Sequence, residues 1–218
     1  MDKAPDLDGD PDGPTWRDLP TVELAAVDVD GGGRKPAGSD ASTPGGPRSL
    51  EAAADGPTAT AAHGRAWWRA GHDGEALFVG VHCSGAGAPA PAAGPGRDPF
   101  GDESVAVLIE PRRLWPNQRY EVASSGEQRC AKYPSPADRR WSATIRRGAN
   151  GWSLTARIPF ECLREAPEWE RPLRLDVEWR RRQGDEVVTR SWMERHPLPN
   201  RLVFGSANPA DLGWLVLK

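Results

Sequence analysis

At 218 residues and a net charge of −3, the chain is long enough for one sizeable core and too near neutrality for a broad nucleic-acid footprint. Its three scattered cysteines, Cys83, Cys130 and Cys162, form no C-x-x-C, which argues against a disulfide framework or zinc ribbon and leaves at most one bridge, with buried free thiols as the plainer reading. No run approaches the roughly 18 apolar residues that span a membrane, and MDKAPDLDGDPDGPTW has neither the basic start nor the apolar stretch of an export signal, so the expected compartment is cytoplasmic by default.

Residues 1–15, acidic and rich in Pro and Gly, are expected to form a flexible tail ahead of one domain over 16–218. Residues 16–27 (WRDLPTVELAAV) supply a first strand, and 30–57 read as a long low-complexity loop. Two strands, 65–69 (RAWWR) and 76–82, are joined at His72-Asp73-Gly74, where Asp-Gly favours a tight hairpin turn. A second low-complexity loop covers 85–97. Strands at 104–110 and 119–124 follow, then a pair at 141–146 and 152–158 joined across Asn150-Gly151. Pro159 stops the latter strand, and 160–164 suit a single helical turn. Residues 173–182 and 186–192 form another hairpin, and 213–217 close the chain.

The alternation within these strands is regular. Leu77, Val79 and Val81 share one side, as do Val105, Val107 and Ile109. Leu173, Leu175, Val177 and Trp179 line a core, with Arg174, Asp176, Glu178 and Arg180 outside. Short strands, few helical periods and abundant turn residues predict an all-β fold, an antiparallel β-sandwich of jelly-roll or immunoglobulin-like layers with long Gly/Ala/Pro-rich loops.

Ten tryptophans against two tyrosines is an uncommon aromatic balance. Indoles stack on the C–H faces of sugar rings, but they also fill cores. Trp152 and Trp179 are in phase with apolar strand faces. Trp67 and Trp68 are adjacent, so one must face out. Trp115 and Trp192 lie at turns or strand ends, where a ligand-facing ring is most natural.

Asp6, Asp8, Asp10 and Asp12 alternate, and 8–13 match the first half of a calcium loop, yet Leu19 stands where a bidentate glutamate is required. Asp98, Asp102 and Glu103 offer a denser oxygen cluster for a cation or for sugar hydroxyls. Calcium is the one cofactor this leaves open. Catalytic motifs are missing: there is no G-x-S-x-G, no H-E-x-x-H and no phosphate-cradling glycine loop. His63, His72, His82 and His196 are never spaced as paired ligands on one strand. Met193 and His196 leave haem ligation in a sandwich cytochrome as a remote alternative. No enzyme activity is expected.

The segments AWWRAGHDGEALFVGVH, DPFGDESVAVLIEP, RYEVA, GWSLTARIPFECL, SWMERH and LGWLVLK, in this order, resemble the carbohydrate-binding module family 9-like group, a DOMON-related β-sandwich. The resemblance implies a non-catalytic module that holds a sugar between two aromatic rings while charged and amide side chains grip its hydroxyls. Carried over, Phe100 is the first wall, Trp192 the second, and Glu103 the acidic residue opening the strand. Asp102 assists it, and Trp115 and Arg119 stand on the neighbouring turn.

Three positions depart from the family. Ala106 replaces its second acid, Glu121 and Ala123 stand where Arg and Asn are usual, and HCSGAG lacks the aspartate that follows the first alternating strand. Losing buried polar partners of this kind costs about 1–3 kcal/mol apiece. The expected ligand is a carbohydrate or similar polyhydroxylated molecule, with a separate glycoside hydrolase as a protein partner and a role in carbohydrate catabolism. The alternative is a scaffold sandwich that kept the fold and lost the ligand.

Overall fold

The computed structural model describes residues 5–27, 64–85, 98–110, 118–131, 140–163, 167, 172–192 and 213–216. In chain order the strands are β1 (Val22–Glu23), β2 (Ala25–Val27), β3 (Arg65–His72), β4 (Ala76–Ser84), β5 (Glu103–Glu110) and β6 (Gln118–Ala123). They continue with β7 (Gln128–Ala131), β8 (Ser142–Gly148), β9 (Gly151–Pro159), β10 (Pro172–Gln183), β11 (Glu186–Ser191) and β12 (Gly213–Val216). One helical turn, α1 (Pro99–Asp102), precedes β5, and a 3-10 turn at Phe160–Cys162 follows β9.

Every pairing among these strands is antiparallel. The first sheet runs β1-β3-β4-β9-β8. The second runs β2-β11-β10-β5-β6-β7, with β12 pairing the start of β10. The architecture is therefore an all-β, two-sheet antiparallel sandwich. Residues 16–27 do not make one strand. Leu24 separates β1 from β2, and the chain steps there from the first sheet to the second.

Alternation fills the space between the sheets. Val105, Val107 and Ile109 of β5 lie opposite Trp179, Val177 and Leu175 of β10, and all six are buried. Trp68, Val79, Val81, Trp152, Leu154 and Ile158 meet them from the first sheet. A large apolar side chain buried like this stabilises the fold by about 1.5–3 kcal/mol. Of the adjacent tryptophans, Trp68 enters the core, while Trp67 faces out and stacks on His82 with ring centres 5.3 Å apart. Cys83 and Cys162 are buried thiols and Cys130 is half-buried; none is bridged.

The acidic N-terminal segment differs from the mobile tail expected over residues 1–15. From residue 5 onward it is docked on the outer face of the first sheet. Trp16 is fully buried against Ala76 and Phe78, with Leu7 and Leu19 alongside. Gly9 donates its N–H to the Thr155 hydroxyl at 2.9 Å and accepts from the Ser153 hydroxyl at 2.6 Å. Its φ of 82° and its closeness to β8, where a Cβ would lie 2.9 Å from Arg146 N, both require glycine. Gly80 makes the floor: a Cβ there would lie 2.6 Å from the Pro11 side chain. Arg69 donates to the Pro11 and Trp16 carbonyls, and Arg146 pairs with Asp10 at 2.6 Å. The Pro and Gly that suggest disorder instead let the segment lie flat, and one tryptophan anchors it.

The outer face of the second sheet departs from a solvated surface. Arg174, Asp176 and Glu178 do point away from the core, yet all three are buried. Charges in such a position persist only when paired. That layer of paired charge leads to the candidate site.

Candidate functional site

The site is built around α1, where the chain enters β5. Asp98 caps the turn, accepting the Phe100 N–H at 3.1 Å, and Pro99 suits the first helical position. The Ser104 hydroxyl donates back to the Phe100 carbonyl at 3.1 Å. These bonds seat Phe100 over the outer side of the sheet, 8% exposed, with the Arg129 guanidinium 4.0 Å from its ring centre.

Arg129 continues into an ion network that joins side chains of β7, β6 and β10 across the intervening β5. Its Nε bonds Glu121 across the β6–β7 pair, and its Nη1 lies 3.6 Å from Asp98. Arg119 closes the network from the other side, 2.7 Å from Glu121 and 2.9 Å from Glu178. Burial by itself would raise the Glu121 carboxyl, but the Arg119 charge and hydrogen bonds from Arg129 and Arg119 hold it below the usual carboxylate range. Glu121 therefore stays ionised, gripped by two guanidiniums.

Beside α1 lies a groove of about 320 Å³ lined by Asp98, Gly101, Asp102, Arg182, Gly184 and Asp185. It runs between α1 and the β10–β11 turn. Arg182 stands 3.7 Å from Asp102 across it. Carboxylates accept hydrogen bonds from hydroxyls and a guanidinium donates them, so the groove offers both halves of polyol recognition.

The structure brings together Phe100, Asp102 and Arg119 on or beside this face. It does not bring Trp192 or Glu103 there. The expectation that Phe100 and Trp192 flank one mouth is corrected by the register. Trp192 donates its N–H to the Val177 carbonyl, in phase with the inner face, and packs against the core with its ring 4.9 Å from that of Trp68. Phe100 and Trp192 thus lie on opposite faces of the second sheet. Glu103 also turns inward, 4% exposed, accepting the Trp179 indole N–H at 3.0 Å. It sits beside Cys83, whose thiol is pushed well up by burial and then by the Glu103 charge. Trp115, Met193, His63 and His196 lie outside the described residues.

Two of the three departures from the family pattern lie on this face; the third, in HCSGAG, begins at the end of β4 in the first sheet. Ala106 pairs with Glu121, and Ala123 with Ser104. Glu121 stands where an arginine is usual, yet guanidiniums reach the same spot from Arg119 two residues away and from Arg129 on β7. Arg129, Glu178 and Arg182 are absent from the sequence-based site. For Glu178 and Arg182 the signal was the charged alternation of RLDVEWRRR, which marks a face without saying what covers it; Arg129, in EQRC, has no such pattern around it. The N-terminal aspartates make local bonds instead of a cage: Asp8 accepts the Asp10 N–H, and Asp10 accepts the Asp12 N–H. Among the described residues no group of three His, Cys, Asp or Glu could hold a metal ion.

Comparison with solved structures decides the fold. A family 9 carbohydrate-binding module from Caldicellulosiruptor kristjanssonii, solved with cellotriose, superposes with a TM-score of 0.62 at 13% identity, covering 99% of this chain and 90% of that one. The fold is that of a family 9 carbohydrate-binding module. A second structure of such a module from the same organism, in complex with glucose, gives a TM-score of 0.54 at 14% identity over 73% of this chain and 80% of that one. No protein-family model matches the sequence, and no curated protein does. At these identities the likeness is one of architecture, and the residues of the site must argue for themselves.

Proposed function

We propose that this chain is a non-catalytic carbohydrate-binding module whose ligand enters the groove between α1 and the β10–β11 turn. The observation that supports it best is the placement of Asp98, Asp102, Asp185 and Arg182 around one open groove, on a sandwich matched over 99% of its length by a module solved with cellotriose. Asp98 and Asp102 accept hydroxyl hydrogen bonds, Arg182 donates to ring or hydroxyl oxygens, and Phe100 supplies the apolar wall once Arg129 moves aside. Trp192 and Glu103 act from within, fixing the inner faces of β11 and β5. Isothermal titration with glucose, cellotriose and a panel of other mono- and oligosaccharides tests this. Saturable binding to at least one sugar is expected, and silence across the panel from a protein with a β-type circular dichroism spectrum contradicts it.

A second reading, a sandwich retained for protein contacts without a sugar, is favoured by one observation. Arg129 covers the Phe100 ring, and ion pairs fill the face beyond it. Removing Arg129 separates the two readings, because only a masked sugar site gains affinity when its aromatic wall is uncovered.

A further inference from the structure

Outward-facing residues alternate along β10 as Arg174, Asp176, Glu178, Arg180 and Arg182, and four of the five have a partner. Arg174 lies 3.6 Å from Glu110, Asp176 accepts the Ser191 hydroxyl, Glu178 holds Arg119, and Arg182 faces Asp102. Arg180 is the exception. Its register neighbours are the neutral Ser104 on β5 and Thr189 on β11. Among the described residues its side chain makes no ion pair and no hydrogen bond.

Arg180 is nonetheless half-buried. Burial, then repulsion from Arg119 and Arg129, holds its guanidinium below the usual arginine range, while Glu121 and Asp98 pull the other way. Both of those carboxylates are already engaged, Glu121 by two guanidiniums and Asp98 by Arg129. A cation kept partly out of water, near two others, with no counter-ion among the described residues, is a cost to the fold. Such local costs concentrate where a ligand supplies the missing partner.

Resting on the carbohydrate reading above, we infer that the ligand is an acidic sugar, whose anionic substituent meets Arg180 while its hydroxyls donate to Asp98 and Asp102 in the adjoining groove. The planar guanidinium fork matches two oxygens of a carboxylate or a phosphoryl group equally well. The arrangement is bipolar along β10: Arg180 lies two residues in from Arg182, and Asp185 sits at the turn. The aspartates at the turn repel the anion and so set one orientation for the ligand.

Glucose and glucuronate share a ring and differ in one carboxylate, which makes them the matched probes. In low salt, the full chain is expected to bind glucuronate at least roughly tenfold tighter than glucose, with the preference shrinking in 0.5 M NaCl as exposed charge pairs are screened. Arg180→Gln should bring glucuronate down to the affinity of glucose and leave glucose unchanged. Its melting temperature should equal or exceed that of the parent, because an unpaired cation is removed. Arg180→Lys, the second variant, keeps the charge without the fork and should retain part of the preference.

Glucose 6-phosphate binding tighter than glucuronate would uphold an anionic sugar and assign the phosphoryl group. Glucose binding as well as either acid would overturn the inference and leave the carbohydrate reading standing. Acetate binding as tightly as glucuronate would overturn it too, since the ring would then contribute nothing. Binding by none of these, nor by any neutral sugar, would overturn the carbohydrate reading together with the inference.

Discussion

The Arg129 guanidinium sits over Phe100, 4.0 Å from its ring centre, while the same side chain bonds the buried Glu121. One residue therefore both covers the Phe100 ring and neutralises the sheet face behind it. Arg129→Ala should separate these roles. Exposed cation–π contacts are worth about 0.5–1 kcal/mol, so uncovering Phe100 should raise sugar affinity roughly two- to fivefold. Denaturant unfolding of the same variant should show a loss of about 1 kcal/mol, since its guanidinium is partly exposed and its pairs are partly screened.

The Glu121 carboxyl, held below its usual range, makes a pH prediction. A group whose folded pKa is depressed adds stability that is present above its unfolded value, near 4.3, and is lost as pH falls through the lower folded value. The melting temperature should therefore fall more steeply below about pH 4.5 in the parent than in Glu121→Gln. At pH 7 the Gln variant should be less stable by about 1–3 kcal/mol, because Arg119 and Arg129 lose a shared charged partner. Equal acid limbs in the two proteins would remove Glu121 from this role.

Glu103 supports the fold from within. Its carboxylate accepts the Trp179 indole N–H in a site 4% exposed. Glu103→Ala orphans that donor and should cost about 1–3 kcal/mol of stability. Sugar affinity of the folded fraction should change by less than about threefold, under 1 kcal/mol. A tenfold loss of affinity with unchanged stability would make Glu103 a ligand contact after all.

The docked N-terminal segment predicts a stability loss where composition suggested a dispensable tail. Trp16 is fully buried against Ala76 and Phe78. Trp16→Ala should cost about 3–5 kcal/mol in denaturant unfolding. A change within 0.5 kcal/mol, the range of ordinary surface substitutions, would mean that the segment contributes little.

These outcomes mirror what local pattern can carry. The hairpin at Asp73-Gly74 was legible because its chemistry is local: Asp73 accepts the N–H groups of Glu75 and Ala76, and Gly74 adopts a φ of 95°. The core of β10 was legible because Leu173, Leu175, Val177 and Trp179 alternate without interruption. The docking of Gly9 on Thr155 was not, because it spans 146 residues and the segment around it has no periodicity of its own. Trp192 was misplaced for a related reason. Its face depends on how β11 is registered against Val177, and position at a strand end does not fix that. Arg129 was missed because its partner Glu121 is a neighbour only through the β6–β7 pairing.

Backbone amide shifts on titrating the isotopically labelled chain with cellotriose test the central claim most directly. The account predicts saturable shifts concentrated at Gly101, Asp102, Gly184 and Asp185, with little change at Trp68 or Trp192. Shifts centred on Trp67 and His82 of the first sheet, or none at saturating sugar, would contradict it.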